Sequence, residues 1–269
     1  MWVGLTLGFI GAGNMAGAIF NGVLGHHLRS ADAIWVSNRS EEKLKAFAAQ
    51  GAHTTTDNVA VVNAADIILL AVKPQMFADV LPGIAPHAAG KCFVSIAAGI
   101  SVDYLKSQLP GALVMRAMPN TPMQVGLGAT GIVAAPEVPA EIFSAVSDIF
   151  AAGGEIAVIT EPQIDDIIAL SGSTPAFFFR MADALVSCAV QNGFDPDLAL
   201  KLAAKTMEGS AVMLQKSGKT AKELTRQVCS PGGTTLAALT AFDEQDFEGM
   251  IEEAVARCTA RSKELSEAN

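Results

Sequence analysis

Six residues near the start of the chain carry its plainest chemistry: Gly11-Ala12-Gly13-Asn14-Met15-Ala16, a GxGxxA turn that follows the apolar Phe9 and Ile10. A glycine at 11 permits a tight turn at the end of a strand. One at 13 lets backbone N–H groups close on a pyrophosphate, and the small Ala16 lets the next helix pack on that strand. The turn reads as a dinucleotide cradle, with a merely structural strand-to-helix turn as the alternative. Further on, Ser37-Asn38-Arg39-Ser40 offers no carboxylate to hold a ribose 2′-hydroxyl. The Arg39 guanidinium, with hydroxyl and amide donors beside it, suits a 2′-phosphate instead. NADP(H) is therefore favoured and NAD(H) stays open. The plain alternative is an Arg39 that faces solvent where a helix begins.

Three other segments are rich in backbone donors. Ala71-Val72-Lys73-Pro74 closes an apolar run, at the strand end where open α/β sheets bind ligands. Met118-Pro119-Asn120-Thr121-Pro122 ends another run in a rigid turn. Ser230-Pro231-Gly232-Gly233-Thr234-Thr235 joins two helices, and N–H groups at a helix start make a nest for a carboxylate. Each of these, taken singly, could equally be a helix cap. The histidines are informative by position: His26, His27, His53 and His87 all precede residue 88, and none sits beside a carboxylate partner. Oxidation of an alcohol usually needs such a base. A substrate that is already a protonated imine lowers the demand, because its positive nitrogen activates the carbon that receives hydride. Cys92, Cys188, Cys229 and Cys258 lack metal-site spacing, and no metal is expected.

The elements that must position these residues alternate through the first part of the chain. Strands are predicted at 5–10, 33–37, 66–72, 92–97, 113–118, 128–134 and 155–159, and helices at 14–24, 41–50 and 140–151. Continuous apolar strands separated by helices indicate a parallel sheet covered on both faces. Residues 1–160 read as a doubly wound, Rossmann-type dinucleotide-binding domain of the α/β class. Residues 161–269 read as all-helical, with a boundary near 158–163. Ser173-Thr174-Pro175 looks like a cap with proline in the first turn of a helix reaching about 192, where Gly193 can turn left-handed. Further helices fit 196–216, 221–228, 234–242 and 247–265. Met207, Val212, Met213 and Leu214 suit an interface with a second copy and suit an ordinary core equally well.

Composition narrows the partners. Of 269 residues, 51% are apolar and 17% charged, which excludes a disordered or coiled-coil chain. Acidic residues outnumber basic ones 27 to 18, a net charge of −9 with no Lys/Arg cluster, so nucleic acid is not an expected partner. The apolar stretch 1–20 lacks a basic start, since Arg29 is the first Lys or Arg, and so does not read as a signal peptide. No run approaches the ~18 apolar residues of a membrane span. A soluble, cytoplasmic protein with reduced and mostly buried thiols is expected.

Taken together, the motifs resemble one family over nearly the whole chain: pyrroline-5-carboxylate reductase. The resemblance rests on GFIGAGNMA at 8–16, AVKP at 71–74, Ser95-Ile96-Ala97-Ala98-Gly99, MPNTP at 118–122, Leu170-Ser171-Gly172-Ser173 with Pro175-Ala176, and SPGGTT at 230–235. It implies NADPH-dependent reduction of the cyclic imine 1-pyrroline-5-carboxylate to L-proline. Ile10, Gly11, Ala12, Gly13, Asn14, Met15, Ala71, Val72, Lys73, Pro74, Ile96, Ala97 and Ala98 would line the dinucleotide, with Asn38 and Asn58 near the adenosine ribose and phosphates. Ser230, Gly232, Gly233 and Thr234 would hold the substrate carboxylate, and Thr235 would hydrogen-bond the ring nitrogen. The resemblance also implies a homodimer interlocked through the C-terminal helices, frequently assembled into a ring of dimers. Two departures stand out. Thr174 and Phe177 replace a glycine and a tyrosine of the family's SGSGPAY, and Ala221 stands where a proline is common. The rival readings are a β-hydroxyacid dehydrogenase with Lys201 or Lys205 as base, and a noncatalytic NADPH-sensing module.

Overall fold

The computed structural model describes residues 4–267. Its strands and helices run in the order β1 (Leu7–Ile10), α1 (Asn14–Gly25), β2 (Ile34–Ser37), α2 (Glu41–Ala48), β3 (His53–Thr55), α3 (Asn58–Ala64), β4 (Ile67–Leu70), α4 (Phe77–Ile84), β5 (Cys92–Ser95), α5 (Val102–Gln108), β6 (Leu113–Met118), β7 (Gly128–Ala134), α6 (Ala140–Ala151) and β8 (Gly154–Val158). The strands form one sheet in the order β3-β2-β1-β4-β5-β6-β7-β8. β1, β4 and β5 are buried at every residue, as strands covered on both faces must be. α1, α2 and α6 bring Phe20, Phe47 and Phe150 to one face, and α3, α4 and α5 bring Val61, Leu81 and Leu105 to the other. The order reverses between β1 and β4, which opens the crevice where doubly wound folds bind ligands.

β3, α3, α4 and α5 are not among the elements expected from the sequence, and two further features depart from that reading. All pairings are parallel except β6 with β7, where Arg116 lies opposite Val133 in antiparallel register. The link between them holds only a short turn, Thr121–Val125, whereas a parallel crossover needs roughly a dozen residues or more. The second departure is a helix that starts earlier than expected. α7 (Ile164–Ile167) runs into a π-turn over Ile168–Gly172, and only Ser173 separates it from α8 (Thr174–Gln191). Ser173-Thr174-Pro175 therefore continues an existing helical run; Ile164, Ile167 and Ile168, spaced for a helix face, give the reason. At its far end α8 stops as anticipated, with Gly193 at φ +88°.

By their contacts the described residues form two compact units. The first extends to Ser173 and takes back the chain from Cys258; the second is Thr174–Arg257. In the second unit α8 packs on α9 (Pro196–Lys216), followed by α10 (Ala221–Val228), α11 (Thr234–Glu244) and the first part of α12 (Phe247–Glu267). The end of α12 belongs to the first unit. There Ser262 Oγ donates to Asp165 Oδ1 at 2.5 Å, and Cys258 Sγ lies 3.3 Å from Ser173 Oγ. A Cβ at Gly99 would stand 2.9 Å from the Leu265 backbone, so this loop and α12 approach as only glycine allows.

All four cysteines are free, but only Cys92 is buried; Cys188 is exposed, and Cys229 and Cys258 are half-buried, which corrects the expectation of mostly buried thiols. Burial pushes the Cys92 thiol up to about 12. At pH 8, far below that value, the buried thiol carries almost no thiolate, so an alkylating reagent is expected to leave Cys92 unmodified until the protein is denatured. Mass spectrometry of the labelled peptides checks this, and labelling at the denatured rate would contradict it. Among the described residues no helix is long and apolar enough to cross a membrane, and no three His, Cys, Asp or Glu side chains gather to hold a metal ion.

Candidate active site

The glycine turn leaves β1 with Gly11 at φ +107°, and its N–H donates to Ser37 O at 2.8 Å. A Cβ at Gly11 would lie 2.6 Å from Ala71 O, so the β1 and β4 turns touch through the missing side chain. Ala12 N donates to Asn38 Oδ1 at 3.3 Å. With the N–H groups of Gly11 and Ala12 spent inside the protein, those of Gly13, Asn14 and Met15 remain for a ligand. Gly13 caps α1 without a side chain, and a Cβ there would meet nothing within 4 Å. This open cradle at the positive end of a twelve-residue helix fits a pyrophosphate.

Beside the cradle lies a cavity of 380 Å³ whose lining includes Gly11, Asn38, Arg39, Asn58, Val72 and Met76. Asn38 also donates through Nδ2 to Ser40 O at 3.0 Å, and so holds the β2–α2 loop in shape. Asn58 Oδ1 accepts from Ser37 Oγ at 2.7 Å, at the start of α3, where Asp57 caps the helix by accepting from Val59 N. Arg39 is exposed, and its Nη2 lies 3.7 Å from Met76 Sδ. Thr56, Asp57, Met76 and Asp79 also line this cavity and were not legible as site residues. Their segments carry no motif, and only the fold brings them beside Arg39.

The Ala71-Val72-Lys73-Pro74 segment leaves β4 at the same crevice, its Ala71 N donating to Ile10 O at 2.8 Å; Lys73 is exposed and precedes a turn that opens on Pro74. Ile96, Ala97 and Ala98 follow β5, and Ser95 Oγ fixes them by accepting from Ala97 N at 3.2 Å. In MPNTP the side-chain amide of Asn120 is spent inside the protein: Nδ2 donates to Ser171 O at 3.0 Å, and its Oδ1 accepts from Ala129 N at 2.9 Å. Asn120 thus ties the β6 end to the π-turn. Short π segments inside helices frequently mark functional sites.

In the second unit the Ser230–Thr235 loop joins α10 to α11. Gly233 N donates to Ser230 O at 2.9 Å, and Gly232 takes φ +68°. The Gly233 N–H is therefore engaged inside the turn. Gly233 caps α11 with no side chain, leaving the first-turn N–H groups of Thr234, Thr235 and Leu236 without helical partners. Such a helix start attracts a carboxylate.

Comparison with known proteins bears on these segments. Residues 6–99 match the family pattern described as NADP oxidoreductase, coenzyme F420-dependent, and residues 161–265 match the one described as pyrroline-5-carboxylate reductase dimerisation. The chain is 37% identical over 263 residues to the pyrroline-5-carboxylate reductase of Escherichia coli (strain K12), covering 97% of this chain and 98% of that protein. The chain belongs to the pyrroline-5-carboxylate reductase family. The Haemophilus influenzae reductase is 38% identical over 263 residues, covering 96% of this chain and 97% of that one. The fold superposes on the Plasmodium falciparum pyrroline carboxylate reductase with NADP bound at a TM-score of 0.91, with 28% identity and 98% of each chain covered. The Coxiella burnetii reductase gives 0.90, with 34% identity over 97% of this chain and 98% of that one.

As a pyrroline-5-carboxylate reductase the protein is an oxidoreductase of a cyclic C=N bond, taking 1-pyrroline-5-carboxylate to L-proline with NADP(H). Neither rival reading survives this membership. The lysines a β-hydroxyacid dehydrogenase would need are exposed on α9, and Lys205 Nζ pairs with Glu208 at 2.9 Å. Of the departures of this reductase from its family, the one at Ala221 has a local explanation, and nothing in the structure explains those at Thr174 and Phe177. Ala221 occupies the first position of α10, where proline is tolerated because no N–H is needed, and the Thr220–Glu223 capping box holds that helix start without it. Thr174 opens α8 one residue after the π-turn, and Phe177 is half-buried in α8.

Proposed function

We propose that the reductase binds NADPH across the cradle of Ile10 to Met15, with Ala71, Val72, Lys73, Pro74, Ile96, Ala97 and Ala98 along the dinucleotide and the 2′-phosphate end beside Asn38, Arg39 and Asn58. NADH binds the same cradle without the Arg39 contact. Substrate sits at the Ser230–Thr235 loop, where the N–H groups of Thr234 and Thr235 hold its carboxylate while Ser230, Gly232 and Gly233 shape the nest. Bound NADPH supplies the hydride that, with the proton already on the imine nitrogen, converts C=N to CH–NH. Thr235 orients that nitrogen, and alignment together with charge complementarity supplies most of the rate. The observation that carries the reading is the uncapped start of α11, preceded by Gly232 in the left-handed region. Among the described residues the Thr235 hydroxyl has no partner within the chain.

Thr235→Val tests the assignment. Valine keeps the shape and removes the hydroxyl, so melting temperature and NADPH affinity are expected to stay near parental values. Losing one polar contact to the reacting nitrogen, worth about 1–3 kcal/mol, lowers kcat/KM for the imine roughly five- to a hundredfold. Gly233→Ala acts differently: its Cβ would run into Ser230 Oγ and distort the nest, raising KM for the imine most. If folded Thr235→Val reduces the imine at the parental rate, substrate is held through backbone groups alone.

The division of labour we infer puts cofactor binding in residues 1–160 and substrate binding and dimerisation in residues 161–269. The match of 161–265 to a dimerisation family supports a homodimer through the C-terminal helices. Dimers of this kind would close into a larger ring. The net charge of −9 and four free thiols are in keeping with a cytoplasmic enzyme that meets neither nucleic acid nor membrane.

A further inference from the structure

Glu161 stands apart from every residue assigned above. It is the first residue of the 3₁₀ turn Glu161–Gln163, held in place by a capping box in which Thr160 N donates to Gln163 Oε1 at 2.9 Å. Its Oε1 accepts from Arg116 Nη1 at 2.6 Å and from Val102 N at 3.1 Å. Arg116 lies in β6, two residues before Met118 begins the MPNTP turn, and pairs in register with Ser95, the residue before Ile96. Val102 opens α5, at the far end of the loop that Ile96 begins. One carboxylate oxygen therefore ties the exit of the Ile96–Ala98 loop to the strand that leads into MPNTP.

The pair is poorly built for stability. The Arg116 side chain is only 3% exposed, yet its Nε and Nη2, and Glu161 Oε2, are buried without hydrogen-bond partners among the described residues. A buried ion pair with unmet hydrogen bonds is often no better than an apolar pair of the same volume. Its observable consequence is geometric.

We propose that Glu161 is a positioning residue for hydride transfer, fixing through Arg116 and Val102 the Ile96–Ala98 loop of the dinucleotide site against the strand that leads into MPNTP. This rests on the reading that Ile96–Ala98 line the dinucleotide. Small displacements of positioning groups lower the chemical step without weakening binding.

The test compares the full-length enzyme with Glu161→Gln and with Arg116→Met/Glu161→Leu, which removes both charges and the tie to Val102 N. Ala98→Val serves as a probe of the loop itself. Melting temperature, NADPH dissociation constant by fluorescence, and kcat and KM for the imine are measured on each. Positioning predicts that kcat falls about ten- to a hundredfold in both Glu161 variants. NADPH affinity and imine KM should stay close to parental, with the double variant melting near the parental temperature. Folded variants with parental kcat would overturn the proposal. So would variants that never fold, since the pair would then be a stability element only. If Ala98→Val changes neither NADPH binding nor kcat, the lining reading fails first and takes the Glu161 assignment with it.

Discussion

Replacing Arg39 with alanine is expected to raise the NADPH Michaelis constant roughly ten- to a hundredfold while leaving that for NADH nearly unchanged. Among the described residues Arg39 is the one cation that lines the cavity beside the glycine cradle, whose lining also includes Asp57 and Asp79. Without the guanidinium a 2′-phosphate there would lose its compensating charge in a cavity whose other charged lining residues are acidic. A hydrogen bond to a charged group is worth about 1.5–3 kcal/mol, which sets the range. NADH carries a hydroxyl at that position and gains little from Arg39. Arg39→Lys keeps the charge without the planar fork and should fall between. Steady-state kinetics with both cofactors measure the ratio directly. Equal losses would place Arg39 outside the 2′-phosphate site and leave NADPH preference to Asn38 and the neighbouring backbone.

How far such residues can be read without coordinates depends on how locally they are determined. The cradle was legible because each glycine answers a local demand: Gly11 for a left-handed turn pressed on Ala71, and Gly13 for open space over a helix start. In the second unit the end of α8 was legible for the same reason, being marked by Gly193, and α9 and α10 begin where expected, behind caps at Asp195 and at Thr220 with Glu223 that the structure shows. β3 was not legible, because three polar residues at a sheet edge give no apolar run. α3 was hidden by Val59, Val61 and Val62, β-branched residues without helical periodicity. The direction of β7 is written in the short link before it and not in its own composition. The Arg116–Glu161 pair spans 45 positions, and neither residue sits in a motif. A contact of that kind exists only once β6 and the turn before α7 are packed together.

The largest effect is expected at the surface of α9. This 21-residue helix buries only Ala199, while Leu198, Leu200, Leu202, Val212, Met213 and Leu214 are 41–52% exposed. Apolar residues spread around a helix mark one that is covered in the assembled protein, and monomers seldom leave so much apolar surface in water. Met213→Glu combined with Leu214→Glu places two charges per subunit, four in a symmetric dimer, where the proposed interface would exclude water. Burying each unpaired charge costs several kcal/mol, so the dimer should weaken by about a thousandfold or more. Both side chains are half-exposed within the subunit, so its own fold should persist, as circular dichroism can check. Ending the chain at Thr160 would be a poorer test, because it deletes Glu161 and buried Ile164 and leaves Arg116 without its ion pair. Light scattering at micromolar concentration should find the double variant monomeric and the parent dimeric. A variant that remains a full dimer would move the interface away from this part of α9, toward the exposed apolar residues of α8 or α11.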